Sequence, residues 1–143
     1  MARRFPLAGL LRLRHAEQDR AAAALAAAND RVRDAADARI AARRNLADRE
    51  ETSAVTDAAT LSALAAARAS TRGMLEELDA VARSRRTEAD EAQTTYNTAR
   101  RAALGLEKLE AHHDREQAAE ELRTEQNALD EIAARRRTEG GAR

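Results

Sequence analysis

The stretch LAGLLRLRHAEQDRAAAALAAANDRVRDAADARIAARRNL, residues 7–46, decides the fold. Steps of alternating four and three residues land on Leu7, Leu11, Arg14, Gln18, Ala21, Leu25, Ala28, Val32, Ala35, Arg39, Ala42 and Leu46. Nine of those twelve positions are apolar, and Arg and Asp crowd the positions between them. Such spacing draws one narrow apolar stripe down a single helix, the seam of a coiled coil. A helix of that length spans about 60 Å, so its seam needs a partner of equal length. Either the rest of the chain supplies it or a second copy does.

Composition agrees. Of the 143 residues, 38 are Ala and only 20 are Leu, Ile or Val, with one Phe, one Tyr and no Trp. Ala, Glu, Lys, Leu and Arg make up 93 residues, beyond the level that marks long helices and coiled coils. Scarce large apolar residues also mark disordered chains, but those carry high net charge, and here it is zero. Cysteine is absent, which removes disulfides and leaves the redox compartment open; a bacterial-type cytoplasmic protein fits. Arg3 and Arg4 precede a short apolar run that Arg12 and Arg14 interrupt too soon for an export signal. No stretch approaches a transmembrane span, so a soluble protein, at most peripheral to a membrane, is expected.

Further along, Pro6 suits a first helical turn. Leu7, Leu10, Leu11 and Leu13 exceed what a two-stranded seam uses. The surplus, edged by Arg3, Arg4, Arg12 and Arg14, is either a surface for another protein or a broad core face. After Glu51 the period falters at Thr52, Ser53, Val55, Thr56 and Asp57, which are poor helix formers and good caps. A short helix from Ala58 to about Ser70 follows, and Gly73 either ends it or stands at the start of the next. The second long helix has a seam of Leu75, Leu78, Ala82, Arg85, Ala89, Ala92, Tyr96, Ala99, Ala103 and Leu106. Its phase then slips near Gly105, and the stripe continues as Ala111, Arg115, Ala118, Leu122, Glu125, Leu129 and Ile132.

The expected fold is therefore all-α: an elongated antiparallel two-helix coiled-coil hairpin with a short helix near the turn. Its single domain divides into a long helix over 6–50, a turn and short helix over 51–73, a long helix over 74–137 and a frayed tail over 138–143. An alanine seam specifies register weakly and predicts marginal stability in isolation.

Charge is segregated although it sums to zero. Residues 1–14 carry four Arg and no acid; residues 132–143 carry four Arg against one Glu; residues 107–131 carry nine acids against three bases. Antiparallel pairing then predicts both basic ends at one tip, a docking surface for an acidic partner. Favourable arginine–dipole contacts at a helix end account for Arg135 to Arg137 without any partner, but not for Arg3 and Arg4.

Catalytic chemistry is not expected. His15, His112 and His113 have no zinc-motif spacing, since adjacent histidines on a helix point about 100° apart. There is no glycine-rich phosphate loop and no cysteine nucleophile, so no metal and no cofactor are expected. A neutral chain with two aromatics lacks the basic, aromatic-interleaved stripe of a nucleic-acid binder. A narrow alanine face also argues against a membrane-surface helix. What remains is an interaction protein, or a structural coiled coil that self-associates as a scaffold.

Two segments carry a resemblance. The start, Phe5, Leu7, Leu10, Leu11, Leu13 and Arg14, resembles the N-terminal signature of the flagellar FliJ family. The later segment, Leu106-Glu107-Lys108-Leu109, then Glu125-Gln126, Leu129-Asp130-Glu131 and Arg135 to Arg137, is similar to that family in the same order. The resemblance implies a non-enzymatic coiled-coil stalk or chaperone of the flagellar type III export apparatus. Its implied partners are the hexameric export ATPase, the membrane export gate and export chaperones. Its implied location is cytoplasmic, peripheral to the cell membrane at the flagellar base. By match, Phe5, Leu7, Leu10, Leu11, Arg14, Leu129, Asp130, Glu131 and Arg136 are the ATPase-side positions. The gate-binding surface is implied for the middle of the second helix, without assigned residues. The chain departs from the family in being rich in Ala and Arg with a single Lys.

Overall fold

The computed structural model describes residues 3–52 and 54–141. Two helices account for almost all of them: α1, Ala8–Thr52, and α2, Ala58–Gly140. They pack against each other as an all-α helical hairpin, with no strand among the described residues. Two compact units divide the chain, one of residues up to Glu17 together with those from Ala99 onward, the other Gln18–Thr98.

In the Gln18–Thr98 unit the expected seam is the observed one. Ala21, Ala28, Ala35 and Ala89 are buried. Leu25, Val32, Arg39, Ala42 and Leu46 are half-buried on α1, as are Leu75, Leu78, Ala82, Arg85, Ala92 and Tyr96 on α2. Arg31 Nε lies 3.7 Å from Glu88 Oε2 and Arg39 Nε lies 2.6 Å from Asp79 Oδ1. As the α1 number falls the α2 partner's rises, so the pairing is antiparallel. These two pairs give the register that alanine alone leaves loose. A buried Ala contributes about 0.8 kcal/mol where a buried Leu contributes about 2–3 kcal/mol. The seam therefore lets the backbones approach closely and grips weakly.

The helix break is shorter than the sequence suggests. Val55 and Thr56 are non-helical, Asp57 caps α2, and Ser53 lies outside the described residues. The Thr60 amide donates to Asp57 Oδ1 at 2.7 Å. The hydroxyl and amide of Thr60 hold the Asp57 carboxyl below its ordinary value of 3.8. The expected short helix is not separate from the long one. It runs unbroken into α2 through Gly73, whose φ is not positive. Glycine costs about 1 kcal/mol in a helix. The alanines at 63, 65–67 and 69 offset this, and the Thr71 hydroxyl donates back to the Ala67 carbonyl at 2.9 Å within the same helix. At the far end the helix absorbs Thr138 to Gly140, expected to be tail, while Ala142 and Arg143 lie outside the described residues.

Candidate partner-binding surface

The unit that holds both chain ends is built from the start of α1 and the last half of α2. Pro6 and Leu7 form a turn just ahead of α1, in which the Ala8 amide donates to the Phe5 carbonyl at 3.2 Å. The fixed φ of Pro6 suits this turn, and its missing N–H leaves no donor unsatisfied. From there the leucines separate by face. Leu11 is buried at 6% exposure, while Leu7, Leu10 and Leu13 are 40%, 38% and 50% exposed. The surplus leucines are thus surface and not a broad core face. Exposed Arg3, Arg4 and Arg12 border them.

Opposite these residues the seam of α2 keeps its period beyond Ala99, Ala103 and Leu106. It continues through Glu110, His113 and Gln117, all partly covered. The covered face does not slip as the apolar stripe does. Polar and aromatic contacts hold it instead. His15 Nε2 lies 2.7 Å from Glu107 Oε1, the Phe5 ring meets His113 at 5.6 Å between centroids and 59° between planes, and the Arg3 amide donates to Gln117 Oε1 at 3.3 Å. Arg14 donates to Glu17 at 2.9 Å along its own helix. None of these contacts follows from apolar periodicity. The signal for them is the heptad itself, which lands on Glu110, His113 and Gln117 if the alanine phase is continued.

Past Gln117 none of the described residues covers α2. Every residue from Ala118 to Gly140 is exposed, a free helical arm of about 34 Å. Ala111, Arg115, Ala118, Leu122, Glu125, Leu129 and Ile132, expected as seam, all lie exposed, with Leu122 and Leu129 at 65%. Ala111 and Arg115 stand level with the start of the chain but on another face of α2, and the positions from Ala118 onward lie beyond the level at which Arg3 meets Gln117.

The matched positions therefore fall into two groups. Phe5, Leu7, Leu10, Leu11 and Arg14 lie together around the first turns of α1, level with 107–117 of α2. Leu129, Asp130, Glu131 and Arg136 lie on the free arm, from about 18 Å to about 28 Å beyond Gln117 along the helix. The two basic ends consequently do not share one level, as antiparallel pairing of equal arms would require. An open groove of about 580 Å³ begins where α1 stops, lined by Arg3, Gln117, Glu120, Glu121, Thr124 and Glu125. No helix among the described residues is long and apolar enough to cross a membrane. The surface offers exposed leucine, arginine and a bare helix, features that suit a protein partner.

Among known proteins, the family model of the flagellar FliJ protein aligns with residues 3–140, nearly the whole chain. No curated protein and no solved structure matches.

Proposed function

This chain belongs to the flagellar FliJ protein family and is a component of the flagellar export apparatus; on that premise we propose that it is a non-enzymatic stalk that docks on the export ATPase. The N-terminal leucines and the free arm of α2 make the docking contacts. The observation that carries this reading is the set of exposed leucines at the head of α1. Leu7, Leu10 and Leu13 present apolar area to solvent beside Arg3, Arg4 and Arg12. Exposed apolar patches rimmed by charge mark protein interfaces. In this reading Leu7 and Leu10 are contact residues, while Phe5, Leu11 and Arg14 hold the helix start in place from within. Leu129, Asp130, Glu131 and Arg136 meet the same partner farther along. The stalk then couples the ATPase to the membrane export gate, peripheral to the cell membrane, with export chaperones as further partners.

The test is binding of the full chain to the purified export ATPase. Leu7→Ala combined with Leu10→Ala is expected to weaken association at least about tenfold, since central apolar anchors dominate interface energy. Helix content by circular dichroism should hold. Unaltered affinity in a folded double variant would remove the N-terminal leucines from the interface.

A further inference from the structure

The free arm carries a pattern that its own packing does not use. Ala118, Leu122, Glu125, Leu129, Ile132 and Arg136 repeat at spacings of four and three, a coiled-coil seam that no other described residue covers. This stripe is set off by one residue from the face that α1 covers up to Gln117. It therefore points about 100° away from the line that α1 would follow if extended. A second helix can lie on it without meeting α1.

We infer that the occupant is the same arm of a second copy, paired antiparallel. Three features of the sequence on this helix select that partner. In antiparallel coiled coils an a position faces a d position, and the register that overlaps the whole stripe brings no like charges together in any layer. Leu122 faces Ile132 of the second copy, Leu129 faces Glu125, and Arg136 faces Ala118. The parallel alternative stacks Glu125 on Glu125 within the seam and Arg136 on Arg136 at its end, two like-charge layers. Flanking positions agree as well. In the antiparallel register Glu121 stands beside Arg135 of the second copy, and the twofold axis repeats the pair. Arg135 already holds Glu131 at 2.6 Å through Nη2, and its remaining donors are available in the same fork for a second carboxylate.

Charge along the arm is the third feature. Glu116, Glu120 and Glu121 lie at its base and Arg135, Arg136 and Arg137 near its end. Head-to-tail pairing brings the basic end of each copy against the acidic base of the other. Three large apolar residues per copy make a small interface, so the dimer is weak and concentration-dependent. It also covers Leu129 and Arg136. Self-pairing and docking of the arm on another protein therefore exclude each other, and the dimer is a stored form that a partner must open. The inference rests on the exposed stripe and its charges, independently of which protein opens it.

Sedimentation equilibrium of the full chain, from about 10 μM to about 1 mM, tests it. A monomer–dimer equilibrium is expected. Arg135→Glu or Glu121→Arg alone should weaken the dimer about tenfold, because each turns two attractive contacts into repulsive ones. The double variant Glu121→Arg with Arg135→Glu should recover it. Orientation is read by disulfide capture, which the cysteine-free chain permits. A mixture of Leu122→Cys and Ile132→Cys chains should cross-link, and neither variant alone. A monomer throughout that range, no rescue by the double variant, or cross-linking of Leu122→Cys with itself would each overturn the inference. None of these results depends on binding to the ATPase.

Discussion

Truncating Leu11 probes whether the start of α1 is held by the seam assigned to it. Among the described residues Leu11 is the one large side chain in the buried apolar set, at 6% exposure. Leu11→Ala removes three carbons, worth about 2.4 kcal/mol at about 0.8 kcal/mol per buried methylene. Alanine returns a few tenths of a kcal/mol as the better helix former. A seam of two helices can close over a void more readily than an enclosed core, so the cavity penalty is small. The expected loss is about 2 kcal/mol. Leu13, half-exposed, should cost about 1 kcal/mol when changed to Ala, and Leu129, on the free arm, no more than about 0.5 kcal/mol. Urea unfolding followed by far-ultraviolet circular dichroism measures all three. With a slope near 2 kcal/mol/M the Leu11 variant's midpoint should fall by about 1 M. Equal costs for Leu11→Ala and Leu129→Ala would refute the reasoning, because they would require the free arm to be as deeply packed as the seam.

Two further outcomes follow from the helix itself. Gly73 and Gly105 are helical, and a Cβ at either meets open space within 4 Å. Gly73→Ala and Gly105→Ala should each raise stability by about 0.5–1 kcal/mol in the same urea assay. At the α2 start, the Asp57 carboxyl is held below its ordinary value by Thr60, so the cap's contribution is present above that ordinary value. It is lost as pH falls through the lowered one. The Thr60 amide shift in a heteronuclear NMR titration should move only in that acid range. Asp57→Asn should abolish the titration while keeping the cap, and Asp57→Ala should lose both.

Much of this was legible in the sequence, for a physical reason: a heptad of alanines and leucines admits little besides a paired helix. From Leu11 to Leu46 and from Leu75 to Leu106 every expected seam position is at least partly covered. Gly73 misled because a glycine after a run of helix formers also reads as a cap. Its helical conformation comes from the neighbouring alanines, which outweigh the cost of one glycine. The seam beyond Leu106 misled for another reason. Apolar periodicity there follows Ala111, Ala118, Leu122 and Leu129, yet the face α1 meets is Glu110, His113 and Gln117. A stripe reports which face could be buried; the phase of the pairing decides which face is, and the length of the opposing helix decides how far the cover extends. That length was itself readable. Arms of unequal length cannot bring both ends to one level, whatever the arginines at each end suggest. His15 with Glu107 and Phe5 with His113 had no sequence signal beyond heptad position, since neither pair is apolar on both sides.

The overreach of α2 is the claim on which the divided docking surface and the self-pairing arm both depend. Paired spin labels on cysteines at positions 3 and 117, and separately at 3 and 136, test it in spin-diluted protein, where only distances within one chain are read. The account predicts a short distance for the first pair and one longer by about 25 Å for the second. Two similar distances, or a shorter one to position 136, would mean that the chain's ends meet at a common tip and would contradict it.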